Sequence, residues 1–485
     1  MNPEHLARLV YPEFRFGKTT LADALELVAA GVGGFCFYGG TAAEVFEASR
    51  VLKAASSTPL LIAADYEDGV GRWVAGGTEL PTNMAIGASG SAGLARRKGE
   101  ITALEARALG VDWIFAPVVD LAVRPANPIV NVRAFGAGWR LTAEMAGAYI
   151  SGLNSRGALC SLKHFPGHGD TEADSHLVLP EVGHDRKGFE DSELRPYRAL
   201  ARRADSIMVG HLKVPAFDAR NPASLSGAVI KGLLRGDLGY GGVVLTDALN
   251  MKALSGEGEP GVRAFLAGAD ILLFTENPSG LFAALARAAH EGLITEAMVA
   301  QALARQDALA QKIAQAPAPG LDVVRCAEHL AFSAQAAPAC LAWAYGEGKF
   351  GLKAGETAGY FEPATAQKDW KGLAFVKALA GLGVNVKPFE PGSGMKLVAG
   401  IFSRPRAYSG AINMDAEERA GLAAAIKSSA GSVIAAFGSP FVLGGLASRP
   451  DAALCAFCGL EAFQAGAARV LAGAARASGA MPVKL

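Results

Sequence analysis

The chain has 485 residues, enough for a large core and for more than one domain. Lys and Arg total 46 and Asp and Glu total 46, a net charge of +0; nucleic-acid binding needs a surplus of cations against phosphate, so that partner class is not expected. Hydrophobic residues make up 51% and charged residues 19%, a globular composition far from disorder, and no apolar run reaches the roughly 20 residues of a membrane helix.

The opening MNPEHLARLVYPEFRF has no basic segment followed by an apolar stretch and a small-residue cleavage site. A soluble, cytoplasmic protein with no membrane partner is expected. From there, apolar runs alternate with amphipathic stretches. The runs are LARLVYPEF (6–14), GGFCFYG (33–39), PLLIAAD (59–65), VDWIFAPVVD (111–120), ALCSLKHF (158–165), SIMVGH (206–211), GGVVLTD (241–247) and ADILLF (269–274). They lack polar alternation, as strands covered on both faces of a parallel sheet do. Between them lie helix-like segments such as TLADALELVAAG, SAGLARRKGEITALEARALG and LTAEMAGAYISGLNSRG. Eight strands with helices between them predict an α/β fold, a (β/α)8 TIM-type barrel; a doubly wound sheet fits the same alternation.

A helical stretch, TEAMVAQALARQDALAQKIAQ (295–315), closes this part, and APAPG (316–320) breaks it. Further strand-like runs follow at CLAWAYG (340–346), KLVAGIFS (396–403), SVIAAFGS (432–439) and AALCAFCG (452–459). The expected organisation is a catalytic barrel over 1–315, a linker and bridging helix over 316–339, and a smaller α/β sandwich domain over 340–485. In the last part, Asp415 to Arg419 reads as a charged helix start. Cys36 and Cys160 fall in apolar runs and read as buried small hydrophobes. Cys455 and Cys458 form one CxxC with no second pair, which argues against a metal role.

Several runs end in polar residues: Asp65, Asp120, Lys163 with His164, His211 and Asp247. Active sites of barrels sit at that edge. Any one of these residues reads equally as a loop charge, but polar groups at five strand ends together are hard to explain as solubility. The densest cluster is KHFPGHGDTEADSH (163–176), which leaves a strand at Pro166-Gly167. Asp174 and His176 are two apart, on the same side of an extended segment. The carboxylate can then fix the imidazole tautomer and favour the imidazolium, as in an acid/base histidine with its partner. A surface Asp-x-His pair is the plain alternative. A metal site from His164, His168, Asp170, Asp174 and His176 is a third; the spacing lacks a helical histidine pair, and Lys163 would repel a cation. Asp247 closes GGVVLTD and needs a partner or a substrate to stay ionised. It can also be read as the cap of a helix over ALNMKAL.

KHFPGHGDTEADSH followed by GGVVLTDALNM resembles glycoside hydrolase family 3, in its β-N-acetylglucosaminidase branch. ANPIVNVRAFG (126–136) and AADYEDGVGR (63–72) are similar to that family's loops after the third and second strands, and FGSPFVL and MPVKL to its appended α/β domain. The resemblance implies a retaining double displacement. Asp247 would be the nucleophile, His176 the acid/base residue and Asp174 its partner. Lys163 and His164 would hold sugar hydroxyls, with Arg133 and Asp65 near the substrate and Asp120 and His211, in matching segments, as further substrate-binding residues. A retaining glycosidase needs an ionised carboxylate to attack the anomeric carbon and an acid for the leaving oxygen, and Lys163 or Arg133 would keep Asp247 ionised.

The implied activity is exo-cleavage of terminal β-linked N-acetylglucosamine from small glycosides or cell-wall fragments, with a small carbohydrate as partner and neither metal nor cofactor. A β-glucosidase, a phosphorylase with phosphate as acceptor, and a sugar-binding protein without catalysis are the alternatives. One loop departs from the family pattern. Asp68-Gly69-Val70 stands where two glycines and an arginine are usual, and Trp73 stands where a later arginine falls, with Arg72 beside it. Trp73 would offer a face for sugar stacking.

Overall fold

The computed structural model describes residues 2–175, 177–363, 371–403 and 414–485. The chain forms two compact units. The first comprises Met1–Leu80, Ala95–Leu121 and Thr142–Cys326, the second Pro81–Leu94, Ala122–Leu141 and Ala327–Leu485. Two stretches that precede residue 315 in sequence, 81–94 and 122–141, therefore group with the C-terminal part.

In the first unit the strands are β1 (Val10–Tyr11), β2 (Glu13–Arg15), β3 (Gly34–Tyr38), β4 (Leu61–Ala64), β5 (Trp113–Ile114), β6 (Leu159–Phe165), β7 (Ser206–Val209), β8 (Val243–Thr246) and β9 (Leu272–Leu273). β2 to β8 form a parallel sheet in sequence order, and β1 pairs with β9. A bridge between Leu245 and Ile271 joins the β8 side to the residue before β9. The long amphipathic stretches form helices, among them Leu21–Ala29, Ala92–Ala108, Trp139–Ser155 and Glu296–Ala314. The first run divides between the end of a short helix, Pro3–Ala7, and two short strands.

Side chains two apart on successive strands build one apolar core: Cys36 with Tyr38, Leu61 with Ala63, Trp113 with Phe115, Val243 with Leu245. This is the period of a strand, with one set of faces turned to a shared interior. Trp113 is fully buried in it and donates its indole N–H to the Ser206 hydroxyl (3.2 Å) and the Cys160 carbonyl (3.3 Å). Gly34 has no room for a side chain, since a Cβ there would stand 2.1 Å from the Leu61 carbonyl oxygen.

The second unit holds a six-stranded sheet in the order β10-β15-β14-β13-β11-β12. Its strands are β10 (Ala342–Tyr345), β11 (Thr357–Phe361), β12 (Asn385–Pro388), β13 (Lys396–Ser403), β14 (Ser432–Gly438) and β15 (Ala452–Cys455). All pairs are parallel except β10 with β15. β11 and β12 are not among the apolar runs of the sequence. β12 is a largely exposed edge that ends in proline, and β11 is only partly buried. The helix Ala416–Ser428 starts at Asp415 with a capping box to Glu418, the charged start expected there. Among the described residues no helix is long and apolar enough to cross a membrane.

Candidate active site

The polar strand ends of the first unit gather at the C-terminal edge of its sheet. Phe165, Val209 and Thr246 are level across β6, β7 and β8. The residues just beyond them, Gly210 to His211 and Asp247, therefore leave the sheet side by side. The Asp247 amide donates to the Val209 carbonyl (2.9 Å), and its own Oδ1 accepts from the Ala248 amide (2.8 Å). No helix starts there. The chain turns, and the first helical residues are a short 3-10 turn at Lys252–Leu254. The expectation of a helix over ALNMKAL is thus corrected, and with it the reading of Asp247 as a cap: its oxygen binds the next amide, not one two or three residues on.

His211 is fully buried beside this turn. Its Nε2 lies 2.9 Å from the Ala248 carbonyl, which only accepts, so Nε2 carries the proton and Nδ1 accepts from the Ser224 hydroxyl at 2.7 Å. The ring holds the backbone next to Asp247.

Asp65, at the end of β4, is held from three sides. Lys163 Nζ lies 2.6 Å from its Oδ1, the Tyr38 hydroxyl donates to its Oδ2, and the Trp73 indole donates to its carbonyl at 3.0 Å. Burial, then the adjacent Asp65 charge, pushes the Tyr38 phenol well up, so it stays a donor. The same Lys163, itself 2% exposed, also pairs with Glu67 Oε1 at 2.6 Å. Glu67 was not singled out by sequence; its signal was its place in AADYEDGVGR. Trp73 meets Tyr38 edge to face at 4.9 Å, and the Arg72 guanidinium lies 5.5 Å from its ring. The departure at Asp68 has a local reason: its carboxylate pairs at 3.0 Å with the fully buried ammonium of Lys98.

Asp120 organises the start of the 163–176 loop. Its Oδ2 lies 2.7 Å from His164 Nδ1, and its Oδ1 accepts from the His168 amide at 2.7 Å. Burial pushes this carboxyl up, but the facing His164 and His168 outweigh it and hold it below the usual carboxylate range. Gly169 passes so close to the Leu121 carbonyl that a Cβ would stand 2.0 Å from its oxygen. Further on, Asp170 pairs with His184 Nε2 at 2.9 Å, which is also 3.5 Å from the buried Glu193. His184 and Glu193 tie the loop to the segment that follows it, and neither carried a motif signal. Asp174 is buried, and its carbonyl accepts from the Leu177 and Val178 amides. His176 lies outside the described residues. Arg133 belongs to the second unit, in the turn Asn131–Arg133; its carbonyl accepts from Asn83 (2.8 Å) and its guanidinium donates to the Ile129 carbonyl (3.2 Å). No group of three metal-ligating side chains is gathered among the described residues.

The first unit thus carries an ionisable carboxylate at one strand end, a lysine bridging two carboxylates at others, and a histidine-rich loop over the same edge. The model of the glycosyl hydrolase family 3 N-terminal domain matches residues 4–308. The chain belongs to glycosyl hydrolase family 3. A β-N-acetylglucosaminidase/β-glucosidase of Cellulomonas fimi is 34% identical over 288 residues, 56% of this chain and 51% of that protein. A β-hexosaminidase of Neisseria meningitidis serogroup C (strain 053442) is 34% identical over 285 residues, 56% of this chain and 78% of that one. The chain thus spans about half the length of the Cellulomonas relative. Among solved structures, a glycoside hydrolase family 3 β-N-acetylglucosaminidase from Paenibacillus sp. str. FPU-7 matches with a TM-score of 0.87 at 28% identity, over 100% of this chain and 98% of that chain.

Proposed function

We propose that this chain is a retaining exo-β-N-acetylglucosaminidase. The observation that carries the reading is Asp247 at the end of β8, its backbone fixed by Val209 and by the His211–Ala248 contact, within a family 3 chain. In this reading Asp247 attacks the anomeric carbon and forms a glycosyl-enzyme. His176 protonates the leaving oxygen and then deprotonates the incoming water, with Asp174 orienting its ring. Asp65 accepts hydrogen bonds from sugar hydroxyls, and the Lys163 ammonium holds it together with Glu67. His164 is a further substrate contact. Asp120 acts through His164, and His211 through the backbone beside Asp247.

The names borne by the Cellulomonas, Neisseria and Paenibacillus relatives support N-acetylglucosamine as the sugar. The sheet of the first unit is proposed to close as a (β/α)8 barrel, a reading supported by the β1–β9 pair and the Leu245–Ile271 bridge. The second unit is proposed as the α/β sandwich domain that family members append. A cytoplasmic setting fits the thiols of Cys36, Cys160 and Cys455, all buried and pushed up by that burial.

A panel of aryl glycosides tests the substrate. Turnover of the N-acetylglucosaminide should exceed that of the glucoside. Faster turnover of the glucoside would overturn the preference, and a glycosyl phosphate as product would make the chain a phosphorylase.

A further inference from the structure

His168 lies in the histidine-rich loop, yet none of the roles above uses it. It is 1% exposed, and both ring nitrogens meet hydroxyls: Nδ1 lies 2.9 Å from Thr171 Oγ1, and Nε2 lies 3.0 Å from Ser175 Oγ. The proton inventory of these groups fixes the direction of each bond. The Thr171 hydroxyl donates to the His168 carbonyl at 3.1 Å, so its one proton is committed. Thr171 Oγ1 can then only accept from the ring, which places the imidazole proton on Nδ1. In a neutral ring Nε2 is bare and accepts from the Ser175 hydroxyl. Burial, then the His164 charge, lowers the pKa of this ring to about 4 against the opposing pull of Asp120 and Asp247, so the neutral form holds at working pH.

Ser175 is the residue between Asp174 and His176, and it is itself buried. The ring that holds it is anchored in turn. The His168 amide donates to Asp120, and the backbone at Gly169 packs against the Leu121 carbonyl with no room for a Cβ.

We propose that His168 is a positioning residue that, as its neutral Nδ1–H tautomer, accepts the Ser175 hydroxyl and so sets where Ser175, the neighbour of Asp174, stands. It touches no substrate. It carries the fixed start of the loop, at Asp120, through to Ser175, the residue before the proposed proton donor in sequence. This inference rests on the reading of His176 as proton donor. A defect in placing the donor slows departure of poor leaving groups, which need the proton, and leaves sugar binding alone.

The experiment compares Ser175→Ala, Ser175→Thr, His168→Asn and the Ser175→Ala/His168→Asn double variant with the unaltered chain. The substrates are 4-nitrophenyl N-acetylglucosaminide and di-N-acetylchitobiose. One neutral hydrogen bond corresponds to about a tenfold effect. Ser175→Ala and His168→Asn should each lower kcat on chitobiose about tenfold with KM unchanged, and the nitrophenyl glycoside should be affected far less. Ser175→Thr should restore the rate, and the double variant should be no worse than the poorer single one. Ser175→Ala removes only a hydroxyl, so it keeps the test decisive if the His168 variant fails to fold. Equal losses on both substrates, or multiplied losses in the double variant, would overturn the brace. Unchanged rates in the variants of an active chain would sink the brace alone. An unaltered chain inert to both glycosides would remove the functional reading and the brace with it.

Discussion

Lys163 shows how a single side chain sets the character of this site. Its ammonium is buried between two carboxylates, Asp65 and Glu67, each at 2.6 Å. Removing it leaves two carboxylates facing each other without the cation between them, which costs far more than losing one surface ion pair. Lys163→Met should therefore lower kcat/KM by roughly a hundredfold, about 3 kcal/mol, and Lys163→Arg should not restore it, because a planar fork cannot replace a compact ammonium at that point. Steady-state kinetics on the N-acetylglucosaminide check both, and rates near those of the unaltered chain in Lys163→Met would contradict the bridging role. Lys163 and Asp65 were legible in sequence because they close apolar runs. Glu67, His184 and Glu193 were not. Glu67 had one signal, its place in AADYEDGVGR; the partner of each lies on another segment, so no spacing announces the contact.

At the level of elements, strand recognition worked where both faces of a strand are covered. β3 and β4 fall within apolar runs, and β6, β7 and β8 within runs broken only at Ser161, Lys163, His164, Ser206 and Thr246, because each packs on both sides. It failed at β12, whose exposed NVKP carries no apolar signal and is held by main-chain pairing to β11. It failed differently after Asp247, where ALNMKAL has helical composition but the backbone turns to bring Leu249 onto the Leu273 carbonyl. That is a tertiary contact overriding local propensity. The central strands should also dominate stability. Trp113 is fully buried in the shared core, so Trp113→Ala should cost about 3–5 kcal/mol and leave the Ser206 hydroxyl without its indole donor. Urea unfolding of the variant measures this; a loss below about 1 kcal/mol would contradict the packing role of Trp113.

Over the whole molecule, the division into units was the least legible feature. Residues 122–141 read in sequence as part of the first domain. They group with the second unit, where the Gly136 carbonyl accepts from Ala122 and a Cβ on Gly87 would stand 1.8 Å from the Phe135 carbonyl oxygen. Close backbone approaches of this kind leave only glycines as a trace in the sequence. Stability towards acid is a second property of the whole fold. His168 is held neutral by burial, with a folded pKa of about 4 against an ordinary 6.5. Its contribution is complete above the unfolded value and is lost as the pH falls from 6.5 towards 4, because the unfolded chain takes up the proton first. Over that window the loss amounts to roughly 3 kcal/mol. Unfolding free energies between pH 7 and 4.5 should fall more steeply for the unaltered chain than for His168→Asn, and parallel slopes would contradict the buried neutral ring.

The central claim is that Asp247 becomes covalently bonded to the sugar. Incubation with a slowly released 5-fluoro N-acetylglucosaminide, followed by proteolysis and mass spectrometry, should find the added sugar on the peptide that contains Asp247. A sugar carried by a different side chain, or none on a chain that turns the reagent over with inversion at the anomeric carbon, would contradict the account.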